Sequence, residues 1–81
     1  MKNIAELGIY EIKEGMIVQK DSGALGLIKS FHYVSDLDKA YYLLNISWTI
    51  PKGYREQIWT LDTNNGPSWD QLYCEGIFVL G

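Results

Sequence analysis

The sequence predicts an all-β (mainly β) fold: a single small antiparallel barrel of five strands, with one short helical turn before the last strand. Apolar runs punctuated by glycine and turn residues fill residues 15–48, GMIVQKDSGALGLIKSFHYVSDLDKAYYLLNISW. In the last of these runs, residues facing one side of a strand are apolar in alternation. The densest cluster of turn residues, DTNNGP at 62–67, separates this region from a short helical pattern and a final apolar run.

Length and composition predict one domain with an efficient core. A chain of 81 residues has little core volume, and three Trp, six Tyr and two Phe supply large side chains to fill it. We divide the chain into an N-terminal arm or lead-in strand, residues 1–13, and a barrel domain, residues 14–81. The arm is expected to contain a short helical turn and then a strand at 9–12. It could pack on its own barrel or on a neighbouring copy.

The strands of the barrel are predicted at 16–20, 25–31, 40–48, 57–61 and 77–80. Gly26 within the second strand predicts a bulge or a close backbone approach. Residues 32–39 are expected to form a loop. In the central strand, Leu44, Ile46 and Trp48 share the core face, whereas Tyr41 and Leu43 point outward. Ile50 to Gly53 should break the sheet, and Ser68 should cap a short helix that ends at Gly76.

This order of elements resembles the SH3-like barrel superfamily, which includes SH3, Tudor-type and KOW-type domains. The resemblance covers residues 14–80 and is carried by GMIVQK, DSGALGLI, the long strand ending in Trp48, SWDQL and GIFVL. It is a likeness in the pattern of elements. It implies a small, usually non-enzymatic binding fold whose partners vary from branch to branch.

Charge disfavours nucleic acid as a partner without excluding it. Ten acidic residues outnumber seven basic ones, for a formal charge of −3, and the cations are spread singly along the chain. A nucleic-acid-binding barrel of KOW or cold-shock type would require Lys20, Lys29, Lys52 and Arg55 to converge on one face. They would need an exposed tyrosine, Tyr41 or Tyr54, beside them to stack bases.

The sequence offers little support for a catalytic site, a metal site or a cofactor site. The chain has one His and one Cys, which is too few for a zinc site and offers no nucleophile–base pair within one segment. We therefore predict no enzyme activity, no metal and no cofactor, with His32 at a loop edge and Cys74 as a small buried apolar group. A single cysteine and the absence of a run of about 20 apolar residues favour a reducing cytoplasm and no membrane. If the chain is encoded by a phage, its place is the host cytoplasm or the virion.

Binding is the role that remains, and six residues are the candidates for it. Tyr41 and Leu43 lie on the outward face of the central strand, and an exposed apolar face usually marks contact. Aromatic residues cluster in the second half, where Trp48, Trp59 and Trp69 could fill the core or line a groove. The predicted binding residues are Tyr41, Leu43, Tyr54, Arg55, Trp69 and Tyr73.

The sequence therefore predicts a non-enzymatic protein–protein interaction module. A narrower version is a phage-type accessory protein, either a virion component or an inhibitor of a host factor, because the domain is short, acidic and freestanding. One alternative is the nucleic-acid-binding barrel described above. Another is a structural subunit of a homo-oligomer joined through the N-terminal arm.

Overall fold

Six strands, one α-helix and one 3-10 turn make up the part of the chain that the computed structural model describes, residues 1–50, 53–64 and 66–80. In chain order they are β1 (Lys2–Asn3), the 3-10 turn (Ile4–Glu6), β2 (Ile17–Lys20), β3 (Leu25–Ser35), β4 (Ala40–Ile50), β5 (Gly53–Asp62), α1 (Pro67–Cys74) and β6 (Ile77–Val79). The expected break at 50–53 falls partly on residues 51 and 52, which lie outside the described residues.

The strands form one antiparallel sheet with the order β1-β6-β2-β3-β4-β5. The mainly β prediction is confirmed. A closed barrel of five strands is not: the sheet has a sixth strand, β1, and its two edge strands, β1 and β5, do not pair with each other in the described chain. Consecutive strands from β2 to β5 lie side by side in the sheet and so form a meander. The last strand then returns to lie beside the first strand of that meander.

Gly26 marks a close approach between strands, as predicted, but not the bulge. A Cβ atom at position 26 would lie 2.6 Å from Cε3 of Trp48, so only glycine leaves room for the indole ring. The pairing of β3 with β4 shifts between Ile28 and Ser30, which places the bulge at Lys29.

Three strands are longer than predicted, and one of them is β4, which extends past Trp48 to Ile50. β3 continues to Ser35, so the loop expected at 32–39 is wrong for its first four residues and is reduced to 36–39. An aromatic cluster accompanies the extension, with the ring of Tyr42 stacked 5.2 Å from Phe31 and edge-on to Tyr33 at 5.4 Å. His32, predicted at a loop edge, instead lies within β3 opposite Leu43. β5 begins at Gly53 because its whole length pairs with β4.

One face of the sheet carries the core. The buried apolar side chains come from every part of the chain, namely Ile4, Ile12, Val18, Ile28, Leu44, Ile46, Trp48, Leu61, Trp69, Leu72 and Ile77. Trp48 and Trp69 are therefore core residues, whereas Trp59 is half-buried at the margin of the core.

The N-terminal arm packs on its own sheet. Asn3 pairs with Phe78 of β6, and its side chain accepts a hydrogen bond from the Ala5 N–H and donates one to the Tyr73 carbonyl, each at 3.0 Å. Ile4 and Ile12 lie in the core. The strand expected at 9–12 is wrong, because residues 9–11 form a turn.

Helix α1 is anchored to the end of β5. The Ser68 hydroxyl accepts a hydrogen bond from the Asp62 N–H, and the Trp69 indole N–H donates one to the Asp62 carbonyl. The helix ends before Gly76, whose φ of +66° suits glycine. Cys74 is exposed on α1, so its predicted burial is wrong. Within the described residues, no helix has the length and apolar character needed to span a membrane.

Candidate docking surface

The outer face is the side of the sheet opposite the core. Side chains alternate along a strand, so the register assigns each residue to a face. Across β4, the core-facing Leu44, Ile46 and Trp48 alternate with Leu43, Asn45 and Ser47 on the outer face. The outer-face neighbours of these residues on β3 and β5 are then His32, Ser30, Leu27, Thr60, Ile58 and Glu56.

Four exposed aliphatic side chains lie together on the outer face of β2, β3 and β6. Ile17 pairs with Leu27, the Leu80 N–H donates to the Ile17 carbonyl, and Leu25 is two residues from Leu27 on the same face. Between 40% and 46% of each of these residues is exposed to solvent. We call these four residues, Ile17, Leu25, Leu27 and Leu80, the outer apolar patch. The half-buried Phe78 adjoins it, opposite Gln19.

Polar side chains border the outer apolar patch. Ser47 lies across from Leu27, and Glu56 lies across from Ser47 on β5. Lys29, at the bulge, forms an ion pair with Glu56 over this part of the sheet. The ion pair and hydrogen bond from Lys29 hold the pKa of the Glu56 carboxyl below its usual range. A patch of aliphatic groups within a polar border is the usual anatomy of a protein–protein interface.

Tyr41 and Leu43 lie on the outer face, as predicted, but both are half-buried. They pair with Val34 and His32 of β3, at the end of the sheet far from the outer apolar patch. Tyr54 is 75% exposed on the same face, opposite Thr49. Thr49 is eight positions after Tyr41 in β4, so Tyr54 and Tyr41 are roughly 27 Å apart along the strand.

Arg55 lies on the other side of the sheet. It lines an open cleft of about 360 Å³ together with Lys20, Trp48 and Gln57. The Lys20 ammonium lies 5.4 Å from the centre of the Trp48 ring and 3.8 Å from a carboxylate oxygen of Glu75. We call the place of this cleft, on the core side of the sheet between β2 and β5, the seam.

A second cleft of about 440 Å³ lies between β5 and α1, lined by Trp59, Asp70, Gln71, Cys74 and Glu75. The Trp59 indole nitrogen is buried and has no hydrogen-bond partner in the part of the chain that the structure describes. Cys74 is on α1, which packs on the core side of β5, whereas His32 is on the outer face. The fold does not bring these two side chains together as a nucleophile and base.

Trp69 and Tyr73 do not join the other predicted binding residues. Trp69 is 8% exposed and ties α1 to β5 through its indole N–H, which gives it a structural role. Tyr73 is 54% exposed on α1, and its carbonyl accepts the hydrogen bond from Asn3. The six predicted residues are thus divided between the outer face, the seam and the helix.

The cations also lie on two sides of the sheet. Lys29 is on the outer side with Glu56, while Lys20 and Arg55 line the cleft at the seam. Lys52 lies outside the described residues. A nucleic-acid-binding face would require these four basic residues to converge. Lys20, Lys29 and Arg55, the three of them that the structure describes, do not lie on one face.

Our interpretation of the sequence did not identify the outer apolar patch. The signal is present, because Leu25 and Leu27 share one face of β3 while Gly26 and Ile28 share the other. Ile17 and Val18 likewise place aliphatic groups on both faces of β2. A strand that carries apolar side chains on both faces is typical of a sheet covered on both sides.

No protein-family model matches the chain, and neither a curated protein nor a solved structure matches it.

Proposed function

We propose that the protein is a non-enzymatic interaction module that docks a protein partner on the outer apolar patch. The observation that carries the proposal is the contiguity of Ile17, Leu25, Leu27 and Leu80 on a face that a soluble antiparallel sheet normally makes polar. Burying a fully exposed side chain of this kind contributes about 1.5–3 kcal/mol. These four are already more than half buried, so covering each contributes about 1 kcal/mol, and a partner that covers all four gains a few kcal/mol towards binding.

Rigidity supports the same proposal. Leu25 and Leu27 belong to a strand that is paired on both sides in this region, with β2 and with β4. Ile17 is held by β3 and by the backbone of Leu80. A partner therefore meets a surface that is already ordered, and binding does not have to order these residues.

The test compares two lysine variants as baits. Leu27→Lys places a charge within the outer apolar patch, next to Ile17, whereas Tyr54→Lys places one on the same face outside the patch. Both residues are partly or largely exposed, at 40% and 75%, so both variants should fold, which circular dichroism and thermal melting would verify.

Each bait is used to capture proteins from a lysate of the source organism, with and without nuclease, and captured proteins are quantified by mass spectrometry. We expect one protein that binds the wild type and Tyr54→Lys equally, irrespective of nuclease, and that Leu27→Lys loses. Equal capture by all three baits would contradict docking on the patch. Capture that disappears with nuclease would favour nucleic acid instead.

The resemblance to SH3-like barrels is part of the proposal. It is supported by the order of the elements, a meander from β2 to β5 followed by a short helix and a strand that returns beside β2. The phage-type accessory role and a reducing compartment, host cytoplasm or virion, remain predictions within this proposal. The free thiol of Cys74 supports the compartment.

A further inference from the structure

The free edge of β5 presents a row of backbone groups whose direction can be deduced. In an antiparallel strand, the N–H and C=O of one residue point to the same side, and successive residues alternate. Both groups of Asp62 point away from β4, because they bond Ser68 and Trp69 of the helix segment. The register between β4 and β5 has no shift, so Tyr54, Glu56, Ile58 and Thr60 point their backbone groups the same way.

These four residues have no second strand beside them. In the described chain, β5 pairs with β4 alone, and α1 captures only the Asp62 end of the edge. Natural edge strands are protected by charged side chains, proline, a bulge or a covering segment. In the described chain, β5 has no proline, bulge or covering segment between Gly53 and Thr60, and its two charged side chains, Arg55 and Glu56, have opposite signs. Its middle residue on the outer side, Ile58, is 62% exposed.

We propose that β5 pairs with β5 of a second copy of this chain, antiparallel, about a two-fold axis that passes through Gln57. This arrangement sets Tyr54 opposite the second copy's Thr60 and Glu56 opposite its Ile58. Each backbone group that the edge leaves free then finds a partner, and the pairing stops before Asp62. Because both copies use the same strand edge, the assembly is complete with two copies and forms a closed dimer.

Neighbouring registers satisfy fewer groups or oppose like charges. An axis through Ile58 sets Tyr54 against the second copy's Asp62, whose N–H and C=O are already bonded. An axis through Glu56 places two carboxylates directly opposite each other, which destabilises a strand pair. With the axis at Gln57, Arg55 lies beside the second copy's Trp59, where a guanidinium can contact the indole face.

The proposal goes beyond docking on the outer apolar patch and does not depend on it. The patch lies on β6, β2 and the start of β3, whereas the dimer uses the opposite edge of the sheet. Pairing at β5 leaves the patch of each copy uncovered, so a dimer would present two docking surfaces. Its test needs only the purified chain, so failure of either proposal leaves the other standing.

The test is the mass of the purified protein in solution, measured by sedimentation equilibrium and light scattering between about 5 μM and about 500 μM, a range suited to a small interface. Two variants at one exposed site distinguish the register. Ile58→Glu places a carboxylate directly opposite the carboxylate of the second copy's Glu56, and this contact between like charges occurs twice in the dimer. Ile58→Lys offers the same carboxylate an opposite charge. Both keep β5 paired with β4, which amide chemical shifts would verify.

We expect the wild type to shift from monomer to dimer across the concentration range, Ile58→Lys to remain dimeric, and Ile58→Glu to be monomeric throughout. A wild type that is monomeric at the highest concentration would overturn the proposal. Dimers of both variants would place the interface elsewhere. Monomers of both would exclude the register about Gln57, since a lysine there gains a partner only in that register.

Discussion

At the scale of single residues, Gly26 decides how closely β3 approaches β4. We expect Gly26→Ala to lower the free energy of unfolding by about 1–3 kcal/mol, because its Cβ would overlap the Trp48 ring in a packed core. Urea unfolding measures the change. Gly8→Ala is the matched control, since its Cβ would meet the exposed side chain of Glu11, at 3.2 Å or more, and not a packed ring. Equal stability of the two variants would contradict the close approach.

The ion pair between Lys29 and Glu56 gives a second test at this scale. The Lys29 ammonium lowers the pKa of Glu56 in the folded protein, so the pair stabilises the fold above the unfolded pKa of this carboxyl. That stabilisation is lost as pH falls through the lowered folded pKa.

Carbon-detected NMR titration of the Glu56 carboxyl should show this low pKa, and Lys29→Met should return it to the usual range. Lys39→Met, in the turn between β3 and β4, is the control and should leave the titration unchanged. An unshifted Glu56 in the wild type would show that the pair is not populated in solution.

At the scale of elements, the sequence predicts where strands are better than where they end. Alternation in residues 40–48 and the turn residues around Gly23 place β4 and β2 correctly. The start of β3 at Leu25 was predicted correctly, but its C-terminal end was missed because it depends on the partner strand: Tyr33 continues the sheet with its ring packed edge-on against Tyr42, in a stretch that has no strong local signal of its own. β1, with two residues, is too short to have a detectable period.

The N-terminal arm yields the prediction at this scale. Ile4 is fully buried next to α1 and β6, so we expect Ile4→Ala to destabilise the fold by about 2–5 kcal/mol, measured by thermal or urea unfolding. Lys2→Ala, at an exposed position of the same strand region, should change stability by less than about 0.5 kcal/mol. A small effect of Ile4→Ala would mean that the arm leaves its own sheet in solution.

At the scale of the whole molecule, the open sheet explains why the candidate site was only partly predicted. A closed barrel has a single interior, and with that fold expected, the predicted binding residues were chosen mainly among aromatic side chains, without Leu25 or Leu27. The structure instead has a covered face and an exposed one. Tyr41 and Leu43 were placed correctly on that exposed face, because side chains alternate between the two faces along β4 and the core-facing positions were evident from the sequence.

The position of β6 between β1 and β2 has a consequence for folding during synthesis. The meander β2–β5 can form from local contacts, but Asn3 meets the backbone of a residue 70 positions later, and Ile77 is wholly buried in the core. Contacts between such distant residues form slowly, because a long loop must close first. We therefore expect the chain to remain incompletely folded, with its apolar strands exposed, for as long as Ile77–Val79 is held inside the exit tunnel of the ribosome.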